Sequence, residues 1–349
     1  MPKPSVLITG AAGFLGSHLS DLLLARGYRV VAVDNLSHGS LTNLKGALTN
    51  VEFSFHQADV CDLAALRGIA KGVSHIAHLA AFKIPRYGNA IDTLLINSQG
   101  GHNTLQLAAE LKAKFLLAST SDVYGKNPNI PFSETADCIL GPSTIARWAY
   151  AGSKLFDEHL AFAFADKYGI PVSVVRIFGS YGPRQNLSWW GGPQSVFIGA
   201  ILRGEPIPIH GDGLQTRSFT YVSDTVRGIA DVLEHGPSGE IFNIGSTHEI
   251  SIVELAGLIH RLSGSPVPLD LKFIPYDEIG DRKYEDVRRR VPDTSKARRL
   301  LGYEARVSLQ EGLKSTIDWQ RGLFVAEHMP DRATQPISEE IANLPLLTS

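Results

Sequence analysis

The stretch TGAAGFLGSHL, Thr9 to Leu19, decides the fold. It follows a short aliphatic run and opens an apolar helical pattern, with Gly10, Gly13 and Gly16 spaced G-x-x-G-x-x-G. Such a turn lets backbone N–H groups approach a diphosphate, and the helix N-terminus behind it adds partial positive charge. A side chain at those glycines would collide with the ligand. Phe14 and Leu15 lie inside the same turn and belong to the same surface. The turn is longer than in the G-x-G-x-x-G dinucleotide motif.

Working outward, the next strand ends VVAVDN, which puts Asp34 where a carboxylate accepts hydrogen bonds from an adenosine ribose, with Asn35 beside it. A 2′-phosphate would be repelled there, so NAD is expected rather than NADP. A third strand end, HQADV, offers Asp59 and Val60 to an adenine edge. The other reading of Asp59 is a helix cap for DLAAL.

Short β-branched runs alternate with helical patterns through the first half, the signature of βαβ units around a parallel sheet. Strands are expected near Val6–Thr9, Arg29–Asp34, Val51–Gln57, His75–Ala80, Lys114–Ser119 and Pro171–Ile177. The nearly all-apolar runs RVVAVD, FLLAS and VSVVRIF fit strands buried on both faces. The fold class is therefore α/β, a doubly wound parallel sheet with a smaller substrate lobe. Residues 1–178, with a return segment at about 222–244, form the cofactor domain. Residues 179–221 and 245–323, rich in Gly/Pro loops, form the lobe, and 324–349 read as a tail.

Charge is nearly balanced, 33 basic against 35 acidic residues, which argues against nucleic-acid or membrane partners. Two cysteines, Cys61 and Cys138, make no disulfide framework, and the start MPKPSVLITG lacks the features of a secretory leader. A cytoplasmic protein is expected. His75 and His78, three apart on a strand, face opposite sides and make no metal pair.

The second chemical motif is YAGSK. Tyr150 and Lys154 are four apart and share a helix face. An unperturbed phenol has a pKa near 10; a neighbouring ammonium and a positive nicotinamide both favour the phenolate. Such a pair can take a proton from a sugar hydroxyl while hydride leaves for the cofactor. The same helix carries Leu155, Phe156, Leu160, Phe162 and Phe164 around more than one side, so a second partner is expected, a homodimer packed through this helix and the one around Thr93–Leu111.

Taken in order, the glycine turn, Asp34, HLAA (His78–Ala81), Asn97, STSDVYG (Ser119–Gly125), YAGSK and VVRIF resemble the extended short-chain dehydrogenase/reductase family, in its NAD-dependent epimerase/dehydratase group. The resemblance covers roughly residues 5–322. It implies a Rossmann-type domain, NAD retained through oxidation and re-reduction, and a lobe holding a nucleoside-diphosphate sugar. Leu79, Ala80, Ala81, Asn97 and Ser119 would then face the cofactor. Thr120 would help Tyr150 handle the sugar 4-hydroxyl, and Lys154 would hold the nicotinamide ribose.

The strand end Ser119–Asp122 separates the group's chemistries. Dehydratases resemble S-T-D-E here, and Ser121 replaces the first acid. Simple 4-epimerases have a small uncharged residue where this chain has Asp122. The pattern S-T-S-acid-V-Y-G is similar to UDP-glucuronate decarboxylases, which usually carry Glu in place of Asp122. GPSTIARWAYAGSK resembles the decarboxylase domain of lipid-A-modifying enzymes and the UDP-apiose/xylose synthases. YEDVRRRVPDTSKARRLLGY is similar to the decarboxylase ending and carries Arg290. By this resemblance Asp122, Ser121 and Arg290 would orient a sugar carboxylate. Asp122, beside that like charge, would become the easier to protonate and serve as an acid.

Gly179 stands where the family commonly has a substrate-contacting Asn; the loss enlarges the site, which suits a 4-epimerase turning its ketosugar. Epimerisation of a UDP-sugar therefore stays open, with a 4,6-dehydratase or a non-catalytic NAD-sensing protein behind it. Lys83 and Arg86 offer charge to a carboxylate or diphosphate, or are solvated surface. Arg217 matches the family's diphosphate-binding arginine. Arg184 is either a substrate contact or structural. Trp189 and Trp190 either cover the sugar or pack between lobes, and EPIPIHGDG would lie against the base, expected to be uracil.

Overall fold

The structure, a computed structural model, describes residues 3–83, 90–279 and 285–328. Strand and helix alternate through β1 (Ser5–Thr9), α1 (Phe14–Ala25), β2 (Arg29–Asp34), β3 (Phe53–Gln57), α2 (Leu63–Ile69), β4 (His75–His78), α3 (Ala90–Leu111), β5 (Lys114–Thr120), α4 (Arg147–Tyr168) and β6 (Val172–Ile177). Next come β7 (Ser180–Tyr181), α5 (Pro193–Arg203), β8 (Ile207–His210), β9 (Thr216–Ser218), β10 (Thr220–Tyr221), α6 (Val222–His235) and β11 (Glu240–Ile244). The chain ends with β12 (Glu249–Ser251), α7 (Ile252–Ser263), β13 (Leu271–Ile274), β14 (Arg289–Arg290), α8 (Ser295–Leu301) and α9 (Leu309–His328). Helix α9 thus runs into the stretch read from sequence as a tail.

Seven strands form one sheet in the order β3-β2-β1-β4-β5-β6-β11, every neighbour parallel. The strand order reverses between β1 and β4, the switch point at which doubly wound sheets bind ligands. The two sides of each strand face different cores. Val6, Ile8 and Ala32 pack with Leu19 of α1 and Val226 and Ile229 of α6. Leu7, Val31 and Ile76 pack on the opposite face with Leu105 of α3 and Ala161 of α4. Period-2 alternation with both sides apolar explains why these strands read as continuous hydrophobic runs. β4 stops at His78, short of the expected Ala80, because the N–H groups of Leu79 and Ala80 turn to the Thr9 hydroxyl (both 3.2 Å).

The chain leaves this layer after β6 and re-enters it with α6 and β11, in the expected return segment. The remaining strands make small sheets, β12-β9-β14, β13-β8 and β10-β7. They pack with α5, α7 and α9 around Phe197, Ile209, Leu255 and Leu313. No helix among the described residues is long and apolar enough to cross a membrane.

Helix α4 is fastened to the sheet by a buried polar cluster. Arg176 of β6 donates to both carboxylate oxygens of Glu158 (2.7–3.2 Å), and Ser119 of β5 donates to the same carboxylate. The two charges are 4% and 3% exposed, so removing one strands the other in a low-dielectric interior. Glu158→Ala is expected to lower unfolding free energy by about 3–5 kcal/mol, measured by urea denaturation; a loss below 1 kcal/mol, the range of an exposed pair, would contradict the clamp.

Candidate active site

A long cleft follows the C-terminal ends of β1 to β6. Its floor begins at Gly10, whose φ of +68° and whose contact with Ala80 exclude a side chain: a Cβ would stand 2.9 Å from the Ala80 Cα. Gly13 is the N-cap of α1 and supplies no side-chain cap, so the first N–H groups of the helix remain available to an anion. Gly10, Gly13, Phe14, Leu15 and Gly16 all line the cleft. Gly16 has a packing reason as well, since a Cβ there would overlap Gly10 and Ala11.

Asp34 and Asn35 line the cleft at the end of β2. The Asp34 carboxylate accepts from the N–H groups of Ala12 (3.0 Å) and Leu36 (2.8 Å), so it shapes the glycine turn while one face stays toward the cleft. Burial pushes its pKa up, and these N–H groups pull it back. Asp59 does not line the cleft. Its carboxylate accepts from Cys61 N–H (2.8 Å) and from the Asn35 amide (3.0 Å), the former being what chiefly lowers its pKa. It does not cap α2 either, a task that falls to Asp62. Val60, the neighbouring expectation, does line the cleft.

Leu79, Ala80 and Ala81 form the next part of the wall. Asn97 lies behind it rather than in it. Its amide brackets the backbone of Phe82 (2.7 and 3.1 Å) and donates to Ser153 (3.0 Å), which fixes the strand end against α4. His78, below, is fully buried, with a pKa depressed to about 3 by desolvation and then by the charge of Lys154. Because the Thr9 hydroxyl already accepts two backbone N–H groups, it donates its own proton to His78 Nδ1 (2.8 Å), leaving the neutral imidazole protonated at Nε2.

Thr120, Ser121, Asp122 and Tyr150 meet where the cleft joins a second, more charged pocket. Thr120 caps the one-turn helix Ser121–Tyr124 by accepting from Asp122 N–H (3.2 Å), which keeps its own proton available. Ser119 lines the cleft, but its hydroxyl is committed to Glu158. Asp122 is met by two guanidiniums, Arg290 in direct contact and Arg147 at 3.4 Å. The like-charge neighbourhood expected for Asp122 is therefore compensated by cations before a ligand arrives.

Arg147 was not singled out from the sequence, although three residues before Tyr150 puts it on the same helix face. Its other branch reaches Asp286 (2.6 Å), as does Arg217 (2.7 Å). Asp286, equally unforeseen, thus holds two arginines at one carboxylate oxygen. Among the described residues, Lys83, Arg147, Arg217 and Arg290 share this pocket with the carboxylates of Asp122 and Asp286, an excess of positive charge beside Tyr150. Arg86 lies outside the described residues. Arg184 lines the cleft and pairs with Asp21 of α1 (2.7 Å), tying the lobe to the sheet domain.

Two expectations change here. The hydroxyl of Tyr150 has no hydrogen-bond partner among the described residues, and its pKa is raised by burial, then Asp122, then Asp157, with Arg290 pulling the other way. Lys154 does not line the cleft; its ammonium is held by Asp157 (3.0 Å) with both groups 1% exposed. The cation that lowers the phenol pKa is Arg290, from the lobe. Gly179, expected to leave a roomier site, does not: its φ is +31°, and a Cβ would overlap the carbonyl oxygen of Ser218. The missing side chain is replaced by the backbone entering β10.

Trp189 stacks on His210 (4.1 Å) within the lobe. Trp190 stacks on His38 (4.1 Å), from the loop after β2, and meets Phe82 edge-on (5.2 Å). It bridges the mouth of the cleft from lobe to sheet domain.

The residues at the cleft floor fit NAD: a side-chain-free turn at an uncapped helix start, a carboxylate at the end of β2, and a tyrosine further along. Comparison with known proteins agrees. The GDP-mannose 4,6 dehydratase family profile matches residues 7–316. A UDP-N-acetyl-alpha-D-glucosaminuronate decarboxylase of Bacillus cytotoxicus is 37% identical over 324 residues, 91% of this chain and 98% of that protein. UDP-glucuronic acid decarboxylase 1 of Xenopus tropicalis is 38% identical over 91% of this chain and 72% of its own length. Among solved structures, the UDP-glucuronic acid 4-epimerase of Bacillus cereus, in complex with UDP-glucuronic acid and NAD, superposes with TM-score 0.81 at 31% identity, covering 91% of this chain and 99% of that one.

The Gly179 geometry gives a direct test. Gly179→Asn is expected to cost stability, about 1–3 kcal/mol by thermal or chemical unfolding, and to impair turnover; a variant as stable as the parent would show that the backbone there leaves room.

Proposed function

The chain belongs to the NAD-dependent epimerase/dehydratase family, and from that premise we propose that it decarboxylates a UDP-sugar acid, with UDP-glucuronate as substrate and UDP-xylose as product. The observation that carries the reading is the convergence of Arg290 and Arg147 on Asp122 beside the Tyr150 hydroxyl. Guanidinium forks suit a carboxylate, and this pair stands next to the group that would oxidise the sugar.

Bound NAD supplies the acceptor for a hydride from the sugar's C4 and later returns it. Tyr150 takes the 4-hydroxyl proton, with Thr120 holding the oxygen. The sugar carboxylate is then β to a ketone; its C–C bond breaks, carbon dioxide leaves, and the electron pair passes into an enolate. A proton added to the former C5 restores the ketone, and Tyr150 returns its proton as C4 is reduced. One proton is consumed overall. Asp122, Ser121 and Arg290 orient the carboxylate, and Arg217 and Lys83 take the diphosphate side.

The second reading, 4-epimerisation, draws support from the structural likeness to the Bacillus cereus epimerase. It requires the ketosugar to turn over between hydride steps. Arginines fixing a carboxylate and the occupied space at Gly179 both oppose that rotation.

We further propose a homodimer through α3 and α4, in a cytoplasmic protein with its two cysteines reduced. Ile91, Leu94 and Leu95 on α3 and Phe156 on α4 are exposed apolar residues on adjacent packed helices, a surface that a two-fold copy would cover.

Two experiments test these readings. Incubation with UDP-glucuronate is expected to release carbon dioxide and form UDP-xylose, and Tyr150→Phe to lose roughly 10²–10⁴-fold in rate. UDP-galacturonate without carbon dioxide would establish epimerisation, and release only from UDP-N-acetylglucosaminuronate would move the substrate. Leu95→Glu is expected to convert a dimer into a monomer in light scattering; an unchanged mass would reject the interface.

A further inference from the structure

One buried carboxylate beside the reactive tyrosine has no part in the steps above. Asp157 lies three residues beyond Lys154 on α4 and accepts its ammonium at 3.0 Å. Its other oxygen has no hydrogen-bond partner among the described residues. Gly101 of α3 makes the space, since a Cβ there would stand 2.8 Å from that oxygen.

The pair does not act as a brace. Both groups belong to α4, so the pair cross-links no second element, and burying two charges carries a large desolvation penalty. Helix α4 already has its tertiary anchor in Glu158 and Arg176. What the pair does change is the place and the net charge of Lys154. It draws the ammonium below the cleft floor and sets a negative charge beside it.

We propose that Asp157 is a positioning residue that holds Lys154 withdrawn and cancels part of its field at Tyr150, keeping the phenol protonated until the sugar substrate enters. The other charges facing these groups are known. Asp122 and Arg290 face Tyr150, whose pocket Lys83, Arg147, Arg217 and Asp286 also line; Glu158 adjoins Asp157 on α4, neutral His78 faces Lys154 from β4, and Gly101 of α3 lies against the carboxylate. Asp157 and Asp122 push the phenol pKa up and Arg290 pulls it down.

The inference rests on Tyr150 being the proton-transfer group, so its test needs no turnover. In NAD-loaded protein, ultraviolet difference titration of the phenol, with Tyr150→Phe subtracted, reports the Tyr150 midpoint. Asp157→Asn removes a negative charge, favours phenolate and is expected to lower that midpoint by on the order of one pH unit. Asp157→Glu, which keeps the charge, is expected to leave it within a few tenths of a unit. The rising limb of kcat/KM with pH should move to lower pH by the same amount in Asp157→Asn, a shift that a merely structural defect would not produce. An unmoved midpoint in a folded Asp157→Asn protein overturns the assignment, and Asp157→Ser provides a second neutral variant if the first does not fold. A shifted midpoint without turnover of any uronate would uphold Asp157 and reject the decarboxylase reading; turnover with an unshifted midpoint would do the reverse.

Discussion

The grip of Glu158 on Arg176 and Ser119 is the constraint from which the active geometry follows. It joins α4 to β5 and β6 at once, and both reactive stretches hang from those elements: Thr120–Asp122 at the end of β5, Tyr150 two turns before Glu158 on α4. A helix packed only by apolar contacts could slide by a fraction of a turn at little cost, because hydrophobic burial is non-directional. Four directed, buried hydrogen bonds to one carboxylate remove that freedom. The strand end that carries Thr120 and the helix that carries Tyr150 are thereby held in one register.

On this rigid frame the charges form a chain from lobe to sheet domain. Asp286 gathers Arg147 and Arg217, Arg147 continues to Asp122, and Arg290 closes on the same carboxylate. Each arginine is held in place before an anion enters, so little side-chain entropy remains to be lost on binding.

Much of this was legible in the sequence. The glycine turn, the strands and the helix that carries Tyr150 and Lys154 follow from local patterns: period-2 burial, chain reversals that need glycine, and helical spacing. The misplacements share one cause, that a polar side chain's partner is a tertiary fact. Asp59 and Asn97 lie at the right strand end and helix face, yet their hydrogen bonds go to Cys61 and Phe82. Gly179 read as vacant space because the approaching backbone, Ser218, is distant in sequence. Arg147 and Asp157 were within reach, since residues 147, 150, 154 and 157 recur at three- and four-residue steps along one face.

The stack of Trp190 on His38, with Phe82 at its edge, spans the entrance from two separately built parts of the chain. Because Trp190 comes from the lobe and His38 from the loop after β2, any movement of one part against the other there must part an indole from an imidazole.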